Sequence, residues 1–69
     1  MYVVVELQTK DGATAVVPPV AYADRNAAEA KYHQVLAAAA ISNVDIHACV
    51  LLNEHGIAIQ NHFYYHNAN

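Results

Sequence analysis

From Val44 to Tyr65 the chain alternates between apolar and mixed positions, in two arms separated by Asn53-Glu54-His55-Gly56. This pattern constrains the fold most, because a period of two sends successive side chains to opposite faces of a sheet. The first arm sets Val44, Ile46, Ala48, Val50 and Leu52 against Asp45, His47, Cys49, Leu51 and Asn53. The second sets Ile57, Ile59, Phe63 and Tyr65 against Ala58, Gln60, His62 and Tyr64. Gly56 supplies the positive φ that a tight reversal needs, so the segment reads as a hairpin. Pairing Leu52 with Ile57 leaves a four-residue loop and places every large aliphatic of both arms on one face. A three-residue loop with a bulge at Gly56 would divide them, since a one-residue slip exchanges the faces. The four-residue loop is therefore expected.

A second hairpin opens the chain. Val3, Val5 and Leu7 alternate with Tyr2, Val4, Glu6 and Gln8, and Asp11-Gly12 follows, a dipeptide suited to a type I′ turn. With Lys10 opposite Ala13, Leu7 meets Val16, Val5 meets Pro18 and Val3 meets Val20. Turn chemistry and hydrophobic register agree. The strand from Ala13 to Val20 should be an edge or should end at Pro18-Pro19, because neither proline can donate to a ladder. The same pair would discourage pairing with other chains.

Between the hairpins the alanine-rich segment Ala27–Ile41 predicts a helix, capped by Asp24 or by Asn26 with Glu29 in a capping box. Its stripe Ala28, Tyr32, Val35, Leu36 and Ala39 should face the sheet, and Ser42-Asn43 should end it. The expected fold class is α+β, a four-stranded, mainly antiparallel sheet with one helix on one face (ββαββ). All 69 residues form one domain. The polar tail His66–Asn69 is expected to fray.

On this reading the helix covers the large aliphatics, and the opposite face stays open. Val4, Val17, Cys49, Leu51 and Tyr64 then form an apolar patch ringed by polar and aromatic groups. A patch of that kind on a small protein marks an association surface. Alanine supplies much of the 57% hydrophobic content and buries little area, so the core is thin. Domains of this size gain stability from a disulfide, a metal or a second subunit, and a single cysteine excludes an internal disulfide. The partner expected is the chain itself, as a sheet-to-sheet homodimer, or another protein.

A net charge of −3 with only three basic residues argues against phosphate-backbone binding and is too weak for a nucleic-acid mimic. The longest apolar stretch, Val35–Ile41, is far shorter than the roughly 20 residues of a membrane span. No signal-peptide pattern follows Met1, and one unpaired cysteine suits a reducing compartment, so a cytoplasmic location is expected.

The outward His47, Cys49 and His62 could share a metal, with His47 opposite His62 in the expected register. No pair among them has helical or knuckle spacing, however, and no cofactor is expected. Asp45, His47 and Cys49 suggest a nucleophile and base, yet same-face strand neighbours lie about 6.5–7 Å apart, beyond the contact that activation requires. The chain is not expected to be an enzyme. The aromatic run Phe63-Tyr64-Tyr65 lacks the basic neighbours of a base-stacking surface.

The element order, with Asp24…Glu29-Ala30-Lys31-Tyr32-His33 and the closing hairpin around Asn53-Glu54-His55-Gly56, resembles short uncharacterised proteins of gut bacteria and their prophages. The likeness spans most of the chain and rests on fold-determining residues. It carries over no activity or site residue. It implies a mobile-element or host-interaction setting, in which small acidic proteins bind and block others. The alanine enrichment and Pro18-Pro19 depart from the group's pattern.

Overall fold

The computed structural model describes residues 1–66. Its elements are β1 (Tyr2–Lys10), β2 (Ala13–Tyr22), α1 (Arg25–Ala40), β3 (Ile46–Asn53) and β4 (Ala58–Tyr65). The strands form one sheet in the order β2-β1-β3-β4, with every neighbouring pair antiparallel. This is the expected ββαββ architecture, with β1 and β3 in the centre.

The first turn is as its sequence requires. Lys10 pairs with Ala13, and Asp11 and Gly12 adopt φ of 52° and 80°, the double positive φ of a type I′ turn. Leu7 meets Val16 as expected. Beyond it the register shifts, so that Val4 pairs with Val20 and Val3 with Ala21, in place of the expected Val5–Pro18 and Val3–Val20. Pro18 and Pro19 together oppose the single Val5. A bulge absorbs two residues that cannot donate, and β2 then continues to Tyr22 as an edge strand.

Asp24 is the helix cap. Its carboxylate accepts from the N–H groups of Asn26 and Ala27 at 3.4 and 3.3 Å, so α1 starts at Arg25, two residues earlier than Ala27. The buried stripe is Ala28, Tyr32, Val35 and Ala39, with Leu36 partly covered. That stripe follows the predicted spacing.

The sheet face it covers is the reverse of the expected one. The helix packs on Val4, Cys49 and Leu51, flanked by Tyr2, Tyr22 and Ile59. Two features select this face. The β2–α1–β3 connection joins parallel strands across β1, and the hand of such a crossover is constrained. Topology therefore decides the covered side, whichever side is more apolar. The covered side also carries Glu6 and His47, which bond to each other there, with Ser42 at the end of the helix bonding the His47 ring.

The closing hairpin also differs from expectation. The N–H of Asn53 donates to the Ile57 carbonyl, and that of Gly56 to the Asn53 carbonyl, both at 3.0 Å. Gly56 has φ of 78°. The loop is thus the three-residue Glu54–Gly56 with glycine in the left-handed bulge position. The Asn53 side chain secures it by accepting from the N–H groups of His55 and Ile57 at 2.9 and 3.1 Å. A shorter loop alone would reverse every side chain of β4. A second irregularity at Ile59 restores the original faces, giving Leu51–Gln60, Cys49–His62 and His47–Tyr64 as partners. His47 therefore does not lie opposite His62.

His66 is held in place, contrary to the expected fraying. Its N–H donates to the Asp45 carbonyl at 2.6 Å, and its ring Nε2 meets the Ala39 carbonyl at 2.7 Å. The rest of the expected frayed tail, 67–69, lies outside the described residues.

Candidate functional site

The uncovered side of the sheet is built from four rungs, each crossing the strands through directly paired residues. One rung, Val16–Leu7–Ala48–Phe63, crosses all four strands. Beside it runs Val5–Val50–Asn61, and beyond that Ala21–Val3–Leu52–Ala58. On the other flank Thr14–Thr9–Ile46–Tyr65 completes the surface. None of these side chains is charged. Val16, Phe63 and Tyr65 are 57%, 60% and 65% exposed, and Val3, Val5, Leu7, Val50 and Leu52 are half-buried.

Each residue expected to form the association patch belongs to the other side. Val4, Cys49 and Leu51 are buried beneath α1, while Val17 and Tyr64 are half-buried on that same face. The open face exists, but the residues that form it are those expected to be core. Phe63 and Tyr65, expected on the covered face with the large aliphatics, belong to it. Of the second-arm residues expected to be core, Ile59 packs against the buried cluster.

Under the helix, His47 joins three elements. Its Nε2 lies 2.6 Å from Glu6 Oε2, and its Nδ1 lies 2.9 Å from Ser42 Oγ. The Ser42 hydroxyl also lies 3.2 Å from the Ala39 carbonyl, and Gln8 Nε2 donates to Glu6 Oε2 at 3.0 Å. The ring is thus held at both nitrogens, by Ser42 on one side and by Glu6 on the other. Burial raises the Glu6 pKa, but the hydrogen bonds from His47 and Gln8, with the His47 charge, outweigh it and leave the carboxyl below its ordinary 4.5.

Serine, imidazole and carboxylate in sequence are the components of acyl-transfer chemistry. Here His47 is 4% exposed, and Ser42 is held against the helix terminus. Among the described residues no pocket opens beside them. The arrangement ties the end of α1 to the two central strands. Glu6 and Ser42 were not singled out from the sequence. The available signal was that an inward-facing histidine needs two polar partners.

The remaining candidates are dispersed. Asp45 accepts from the N–H of Asp11 at 2.9 Å and braces the first turn, away from His47. The Cys49 thiol is pushed up to about 11 by burial and by the Glu6 charge, which keeps it protonated near neutrality. His62 is exposed and packs edge-to-face on Tyr64, with ring centroids 4.9 Å apart. Among the described residues no three His, Cys, Asp or Glu side chains converge as a ligand set, and both ring nitrogens of His47 are already engaged. No helix among them is long and apolar enough to cross a membrane. Comparisons with family models, with curated proteins and with solved structures return no match.

Proposed function

We propose that this chain is a small non-enzymatic interaction module that associates with a second copy of itself through the open sheet face. The observation that carries the reading is the uncharged four-strand surface centred on Val5 and Val50. The helix covers a core of modest residues, chiefly Val4, Ala28, Tyr32, Val35, Cys49 and Leu51. A comparable set of aliphatics, with Phe63 and Tyr65, remains on the other side. A layer of this composition is stable when a second layer covers it.

Size supports the same reading. Four strands about 4.8 Å apart and about eight residues long, at about 3.3 Å each, span a projected area of about 500 Å². Two such faces together remove about 1,000 Å² from water before side-chain relief is counted, which meets the lower threshold of a biological interface. A face without charge repels no identical face and offers no ion pairs to a charged partner.

The resemblance to small proteins of gut bacteria and prophages supports an accessory or inhibitory role exerted through association. The single cysteine supports a cytoplasmic setting.

The test is the mass in solution. Light scattering should give twice the 7.5 kDa chain mass, and Val50→Lys should halve it with the helical circular dichroism unchanged. A wild-type chain that stays at 7.5 kDa at high micromolar concentration would refute the reading.

A further inference from the structure

The two edges of the sheet are guarded unequally. On β2, Pro18 and Pro19 remove two donors and bend the strand, the usual protection against unwanted pairing. On β4 the sequence Ala58–Tyr65 contains no proline and no charged residue, and it ends in Phe63-Tyr64-Tyr65, a composition of high strand propensity. Among the described residues no strand lies along its outer side.

The hydrogen bonding shows which groups point outward. His66 N–H donates to the Asp45 carbonyl, so that pair exchanges backbone bonds, and bonded and non-bonded pairs alternate along an antiparallel ladder. In the register His47–Tyr64, Cys49–His62 and Leu51–Gln60, Tyr64, His62 and Gln60 therefore direct their backbone groups to β3. Tyr65, Phe63 and Asn61 direct theirs away from the sheet.

We propose that this edge is a second association site, at which β4 pairs antiparallel with β4 of another copy about a two-fold axis at Phe63. That register uses all three outward-facing residues, setting Phe63 against itself and Asn61 against Tyr65. It also sets His62 beside Tyr64 of the other copy twice, repeating the contact these rings make within one chain. Centring the axis on His62 uses only Asn61 and Phe63, because the next outward position falls at the Ile59 irregularity. The absence of charge along the strand leaves no like-charge repulsion between identical edges. This site is independent of the open face, which lies perpendicular to it.

Amide hydrogen exchange on the wild-type protein tests the proposal, since face-to-face packing hydrogen-bonds no edge amide. The expected result is that the amides of Asn61, Phe63 and Tyr65 exchange at least tenfold more slowly at millimolar than at low micromolar concentration. Asn61→Pro removes an outward donor but no bond within the chain, and should abolish the slowing while the Gln60 and His62 amides stay protected. Fast exchange of the three outward amides at every concentration overturns the proposal, even if the protein is a dimer through its open face. Slowing that persists in Asn61→Pro overturns it as well.

Discussion

Val50 and Leu51 are adjacent in sequence and lie on opposite faces of β3, so the same truncation at each should have different consequences. Leu51 is fully buried, packed between the helix and the central strands. Leu51→Ala removes its transfer free energy and leaves a cavity, at a cost of about 3 kcal/mol. For a chain of 69 residues, stability at about 0.05–0.15 kcal/mol per residue amounts to roughly 3–10 kcal/mol. The variant thus loses between a third and nearly all of it. An unfolding entropy of about 2.1 cal/mol/K per residue converts that loss into a fall in Tm of roughly 20 °C. Val50→Ala strips methyl groups from a half-buried position on the open face and should cost about 1 kcal/mol in the monomer. Its larger effect should be on the concentration at which the protein associates. Thermal melts by circular dichroism at 2 and 200 μM separate the two. Leu51→Ala should be low-melting at both concentrations, whereas Val50→Ala should lose the concentration dependence of the wild type. Equal melting of Leu51→Ala and the wild type at low concentration would show that the helix does not cover Leu51, and the face assignment would fail.

The Glu6 carboxyl is held below its ordinary 4.5 by His47 and Gln8. Its stabilisation is therefore present above that value and is lost as pH falls through the folded-state value. Wild type should lose more stability between pH 5 and 3 than Glu6→Gln does, read as urea midpoints, while at pH 7 the variant should be weaker by about 2 kcal/mol. Cys49 should resist iodoacetamide at pH 8 in the folded protein and react at the rate of a free thiol in 6 M guanidinium, because burial pushes the thiol up to about 11. Rapid labelling of the native state would contradict its placement. Asp24→Ala should cost about 1 kcal/mol through loss of the helix cap, whereas Asn26→Ala should be near neutral; the reverse order in thermal melts would reassign the cap.

The architecture was legible because each element carries its own local signal. Asp11-Gly12 specifies a hairpin through backbone sterics, and Ala28, Tyr32, Val35 and Ala39 specify a helix face through a period of 3.6. The covered side of the sheet was not legible. Val3, Val5 and Leu7 outrank Tyr2, Val4 and Glu6 in hydrophobicity, and pattern counting gives the helix to the more apolar side. The crossover from β2 to β3 obeys a rule of hand, which acts on topology and leaves no mark in the alternation. The loop was misread for a related reason. A four-residue loop preserves the faces in one step, while the structure does so in two, a three-residue loop at Asn53–Ile57 and a bulge at Ile59. Either route gives the same alternation, and the backbone bonds of the Asn53–Ile57 turn, with the Asn53 side-chain bonds, distinguish them in the structure. The misassigned patch followed from these two readings. His47 seemed available for a ligand because Glu6 and Ser42 are 41 and 5 residues away in sequence, distances that only the packed helix closes.

The three-residue loop and the Ile59 bulge each invert the strand that follows, and together they cancel. The bulge is therefore a one-residue reserve of chain length in this hairpin. Deleting Ile59 alone would close the bulge and leave Leu51 opposite Gln60 and Ala48 opposite Phe63, so every outward side chain would keep its place and the cost would be the contact of Ile59 with the core. A single-residue deletion should accordingly be tolerated at Ile59 but not within β3, where it would exchange the faces of the residues that follow.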